Sequence, residues 1–155
     1  MVSLMLASVA PLGEFLIMEE GMMERMLGPY SLYLYAIMRI VVGFLFTCHG
    51  AQKLFGVLGG LGPSGESALL FSLMGFAGVI EFFGGLLIIV GWLTGYVAFI
   101  ASGEMAVAYF MAHHPRGFWP ILNNGEPVVL FCFIFLYMAS MGAGVWSIDR
   151  AVSKS

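Results

Sequence analysis

An all-α integral membrane protein, a bundle of four helices with both termini on the cytoplasmic side, is the fold class this sequence predicts. Three observations carry that prediction. Of 155 residues, 61% are hydrophobic and only 10% charged, far from the soluble average of about half apolar and a quarter charged. Four apolar runs approach or exceed the roughly 20 residues needed to cross a bilayer. None shows the strict alternation of a membrane β-strand, and in hydrocarbon every backbone polar group needs an internal partner, so the runs must be helices.

The expected spans are Leu32 to Phe55, Leu69 to Trp92, Gly95 to His113 and Val128 to Trp146. Leu93-Thr94-Gly95 leaves almost no linker, which makes the second and third helices a tight antiparallel hairpin. The two longer connections carry turn chemistry: GVLGGLGPSGES (56–67) is rich in Gly, Pro and Ser, and HPRGFWPILNNGEP (114–127) holds three prolines and an Asn-Asn-Gly signal. Both connections fall on one side of the membrane.

Residues 1–30 read as an interfacial or disordered leader. Pro11, Gly13 and Glu14 break the apolar stretch, and the positive start of a secretory signal is missing. Residues 31–149 form the membrane domain and 150–155 a short tail. Arg25, Arg150 and Lys154 flank the termini while Lys53 and Arg116 lie on the loop side, so the positive-inside rule puts both termini in the cytoplasm of a cell with a multi-pass plasma-membrane protein.

Charge and cysteine usage exclude several functions. A net charge of −3 with six scattered basic residues offers no footprint for nucleic acid. Cys48 and Cys132 stand far apart and match no metal-ligand or C-x-x-C spacing; they read as small buried apolar residues. No Rossmann fingerprint, P-loop or iron–sulfur cysteine set occurs, so flavin, nicotinamide or cluster chemistry requires another chain. A protein partner is therefore expected besides the lipid bilayer, with a homo-oligomer as an open alternative.

Against this apolar background the ionisable residues stand out. At about 1.5 Å per residue, Arg39 lies roughly 10 Å into the first helix, Glu104 roughly 14 Å up the third and Glu81 roughly 17 Å up the second. A charge at such depth costs at least about 2.5–3.5 kcal/mol unless it faces the interior and pairs, so Arg39 is expected to pair with one or both glutamates. That trio reads equally well as an internal clamp. Gly78 and Gly85 flank Glu81 at helical spacing, and Gly84 adjoins them, so a neighbouring helix can approach closely.

CHGAQKLFG (48–56) places His49 and Lys53 toward the other end of the first helix, on the stripe that carries Arg39 and Phe46. His113 ends the third helix at the same level, and Glu126 follows in the loop. His49, Lys53, His113 and Glu126 are thus the candidates for a ligand pocket, with Phe55, Phe118 and Trp119 available to cover a flat ring. The bland alternative is a lysine that snorkels to the interface and histidines that are merely hydrogen-bonded.

MRIVVGFLFTCHGAQKLFG, GVIEFFGGLLIIVGWLTGYVAFIASGEMAVAYF, NNGEPVVLF and GAGVWSID together resemble the DoxX/DoxD family of four-helix membrane proteins over about Leu34 to Asp149. The matching positions include Arg39, His49, Gly50, Lys53, Glu81, Gly84, Gly85, Gly91, Glu104, Ala108, His113, Gly125, Glu126, Gly142, Gly144, Ser147 and Asp149. The resemblance implies membrane redox chemistry, since members include the large subunit of thiosulfate:quinone oxidoreductase and part of a mycobacterial complex with superoxide dismutase and a sulfurtransferase. The first reading is therefore a membrane subunit of a quinone-linked redox complex, with the polar cluster serving a quinone headgroup. A haem held by His49 and His113 is a weaker variant. A non-catalytic scaffold anchoring a redox partner and a small proton-coupled transporter are the competing classes.

Overall fold

The computed structural model describes residues 21–153. The chain divides into two units, residues 1–34 and 35–155. In the first, residues 21–27 are helical and run into a tighter turn at Gly28–Tyr30, with every residue from 22 to 34 exposed. The expected leader falls mostly on residues 1–20, outside the described residues.

Four longer helices follow: α1 (Ser31–Phe55), α2 (Leu73–Val90), α3 (Thr94–Ala108) and α4 (Glu126–Met141). Three helical stretches are long and apolar enough to cross a membrane, Gly21–Phe55, Leu73–Val90 and Thr94–Arg116; α4, at 16 residues, is a shorter apolar helix. Their outward faces carry large exposed apolar side chains, among them Phe44, Phe83, Phe99 and Phe133. That surface suits lipid, and the protein is a multi-pass membrane protein.

Local chemistry sets the ends of these helices and trims the expected spans. Ser72 caps α2 by accepting a hydrogen bond from the Gly75 backbone N–H, so α2 starts four residues later than Leu69. Gly91 closes it in the left-handed conformation at φ +71°. Two residues further, Leu93 is also left-handed (φ +52°) and turns the chain directly into α3. Expected to reach Trp146, α4 stops at Met141 because Gly142 (φ +70°, ψ −157°) leaves the helical region.

Small residues bring α1 and α2 together. A Cβ at Gly85 would overlap the Thr47 hydroxyl and the Gly43 carbonyl, and one at Gly50 would overlap the Phe82 backbone. At Gly78 it would lie 3.0 Å from the side chains of Leu54 and Lys53. Without lipid-driven hydrophobic attraction between helices, this close backbone approach supplies the packing. Gly84 instead faces Val97 of α3 at an ordinary 3.4 Å. The buried core includes Val42, Phe46, Ile88, Ala101, Phe135 and Met138.

Candidate functional site

The ionisable residues separate into two groups at opposite ends of this core, and the expected pairing of Arg39 with Glu81 or Glu104 does not form. Arg39 is fully buried. One terminal nitrogen donates to the Ile88 carbonyl and, at 2.6 Å, to that of Ile89; the other donates to the carbonyls of Trp146 (2.7 Å) and Val145 (3.4 Å). The physical reason is the end of α2. Its last-turn carbonyls lack the regular helical bonds, Ile88 accepting within the backbone only from the Gly91 N–H at 3.2 Å, and they carry the negative end of the helix dipole, so a guanidinium with five donors is drawn there. Ile88 is seven residues beyond Glu81, about 10 Å along the helix.

Asp149 completes that end. Its carboxylate accepts from the backbone N–H groups of Leu93 (2.9 Å) and Thr94 (3.1 Å), capping α3, while its own N–H donates to the Gly91 carbonyl. Tyr35 donates to the Gly142 carbonyl at 2.5 Å. The segment 142–149 is thereby tied to α1, α2 and the start of α3.

At the other end lies a cavity of about 190 Å³ walled by all four helices. From α1 come Phe46, His49 and Lys53; from α2, Met74, Ala77 and Glu81; from α3, Glu104, Met105 and Ala108; from α4, Pro127, Val128 and Phe131. Each set repeats at the three- and four-residue spacing that keeps side chains on one helix face. Lys53 donates to both carboxylate oxygens of Glu81, at 2.5 and 2.6 Å, and the pair is nearly closed off, with side-chain exposures of 17% and 4%. Glu81 is therefore Lys53's partner rather than Arg39's.

Glu104 has no such partner. Both of its carboxyl oxygens are buried without a hydrogen bond among the described residues. His49 sits exposed at the cavity rim, its ring edge-on to Phe131 with centroids 6.1 Å apart.

His113 reaches the same cavity through a distortion of the third helix. Glu104 and His113 are nine residues apart, which in a regular helix turns them by about 180° onto opposite faces. The wider π turn at Tyr109–His113 takes up one residue and brings the angle down to about 80°. On the loop side, His113 Nδ1 lies 3.1 Å from the Asn123 carbonyl and 3.2 Å from Arg116 Nη2.

Asn123, which the sequence reading passed over except as part of a turn signal, organises that loop. Buried to 1% exposure, it donates to the Gly117 carbonyl (2.6 Å) and accepts from the Gly125 N–H (2.8 Å). The turn follows at Asn124, left-handed at φ +58°.

Two other expectations are corrected. Glu126 is exposed in the first turn of α4 and does not line the cavity; there it meets the positive end of the helix dipole. Nor do Phe55, Phe118 and Trp119 cover it. Phe55 stacks edge-on against Phe82 at 5.2 Å, and Phe118 and Trp119 line a separate surface groove, because Pro120 starts a short helix (Pro120–Asn123) that carries them outward. The aromatic walls are Phe46 and Phe131 instead. Cys48 and Cys132 are free and half-buried.

The DoxX family model matches residues 34–114, from the start of α1's buried stretch through the π turn. The chain belongs to the DoxX family. That match contains every ionisable residue of the cavity, whereas the three α4 residues of its wall lie beyond it. An uncharacterized protein of Haemophilus influenzae (strain ATCC 51907 / DSM 11121 / KW20 / Rd) is 41% identical over 132 residues, covering 81% of this chain and 95% of that protein. No solved structure matches this DoxX family member.

Proposed function

We propose that this DoxX protein is the membrane subunit of a quinone-linked redox complex and that the four-helix cavity receives the quinone headgroup. The observation that carries the reading is the cavity's composition: two histidines, a lysine–carboxylate pair and an unpartnered carboxyl converge on one space with two aromatic walls. A ring with polar groups at its edge fits such a site, with Phe46 and Phe131 facing the ring and His49, His113 and Glu104 serving its edge. A bound quinone would supply two-electron, two-proton chemistry; the chain's part is to bind and orient the headgroup and to offer sites for its protons. The electron donor belongs to a partner subunit.

In this reading α4 also crosses the bilayer, giving four spans. Its 16 residues extend about 24 Å against a hydrocarbon core of about 30 Å, a mismatch met by local thinning of the bilayer. Residues 31–149 are the membrane domain, 1–30 a leader and 150–155 a tail. Both termini face the cytoplasm, with the cavity end toward the outside of the cell membrane.

The test is lipid extraction of protein purified in mild detergent, followed by titration with a soluble quinone analogue. Wild type should carry or bind quinone, and His49→Ala and His113→Ala should each weaken binding while leaving the fold intact, since a hydrogen bond to a neutral carbonyl contributes only about 0.5–1.5 kcal/mol. Unchanged affinity in both folded variants, or no wild-type binding with the native partner present, would reject the reading in favour of a scaffold.

A further inference from the structure

Glu104 belongs to two spaces at once. Besides the inner cavity it lines a groove of about 390 Å³ on the outer surface between α2 and α3, where Leu73, Phe76, Ile100, Val107 and Met111 form the walls. Those walls are 51–62% exposed, so in a bilayer they face acyl chains. Among the described residues Glu104 is the one ionisable residue lining the groove, and Met74, Ala77, Ala108 and Ala112 are shared with the cavity. Small side chains thus form most of the partition between lipid and the polar interior, with the unpartnered carboxyl standing in it.

Among the described residues nothing in the cavity satisfies that carboxyl, because the Lys53 ammonium is already committed to both oxygens of Glu81. Whatever fills the space must bring a donor of its own, since a buried polar group without a partner is costly. A ligand hydroxyl both donates and accepts, so it complements a carboxylate and a carboxylic acid alike. A quinone carbonyl only accepts, so it offers nothing to an ionised carboxylate.

We infer, resting on the quinone reading above, that the cavity holds the hydroquinone form of the headgroup, entering sideways from the bilayer through the α2–α3 groove and donating a hydroxyl to Glu104. The single apolar tail stays in the groove, and the ring passes the partition to Phe46 and Phe131. Glu104 is here a ligand-binding residue that selects the reduced form.

The experiment is anaerobic titration calorimetry of the full chain in detergent with 2-decylhydroquinone, 2-decyl-1,4-benzoquinone and the dimethyl ether of the hydroquinone. In buffer alkaline enough to ionise Glu104, a hydrogen bond to a charged group predicts that the hydroquinone binds at least about tenfold tighter than the other two. Glu104→Gln should shrink that preference to within about threefold, because an amide offers a donor to the quinone carbonyl. Ile100→Trp, which fills the groove without touching the cavity, should weaken the decyl compound but not 2-methylhydroquinone. Equal affinity for hydroquinone and quinone in wild type overturns the selection while leaving the quinone reading in place, and it needs no variant to be seen. Undiminished decyl binding in Ile100→Trp overturns the lateral entry. Failure of all three decyl probes to bind rejects the quinone reading itself.

Discussion

The Arg39 end and the Glu104 end of the bundle bury comparable polar chemistry in opposite ways. At the first, a guanidinium meets four backbone carbonyls and a carboxylate meets two backbone N–H groups; among the described residues, Arg39 Nε and the Thr94 hydroxyl find no partner. At the second, an ion pair satisfies Glu81 while both oxygens of Glu104 are left bare beside a cavity. The difference separates structure from function. A network whose charged groups are met by partners is explained by the helices it joins, whereas a carboxyl with neither oxygen met in an enclosed space is explained by something that arrives there.

Substitutions should grade along that contrast. The largest loss is expected for Arg39→Leu, which removes the buried guanidinium that joins the carbonyls of Ile88 and Ile89 to those of Val145 and Trp146 and should cost more than about 4 kcal/mol or abolish folding. Thermal unfolding in detergent and the yield of monodisperse protein measure it. Lys53→Met follows at about 3–5 kcal/mol, because it leaves the Glu81 charge buried and alone. The double variant Lys53→Met/Glu81→Leu should recover most of that loss, and strictly additive losses would break the pairing. Gly50→Ala tests the close contact of α1 and α2 and should cost about 1–3 kcal/mol through overpacking against Phe82.

These expectations also mark where the sequence was readable. The apolar runs declared the helices, and the turn residues Leu93-Thr94-Gly95 declared the hairpin, since each depends on local chemistry alone. The partner of Arg39 was not readable that way. Depth counted from the end of one helix says nothing of where a neighbour stops, and α2 stops at Gly91, beside Arg39. Counting residues likewise hides the π turn at Tyr109–His113, which moves His113 toward the face of Glu104. The positions of Glu126, Phe118 and Trp119 depend on the path of a loop pinned by Asn123, and only tertiary contacts set that path. His49, Lys53, Glu81, Glu104 and His113, by contrast, stood out at once, because ionisable groups are costly in an apolar chain.

Milder changes sharpen the comparison. Asp149→Ala removes a side-chain cap and a charge at the N-terminus of α3, where about 1 kcal/mol is at stake. A melting temperature within error of wild type would show that the Asp149 end contributes less to holding the segment 142–149 than its geometry implies.

The smallest effect is the most telling. Glu104→Leu replaces a buried, unpartnered carboxyl with an apolar side chain, and the melting temperature in detergent without added ligand measures whether that carboxyl was serving the fold. If Glu104 is kept for a ligand, the variant melts at or slightly above the wild-type temperature. A drop as large as that of Lys53→Met would make Glu104 part of the structural network and contradict the account.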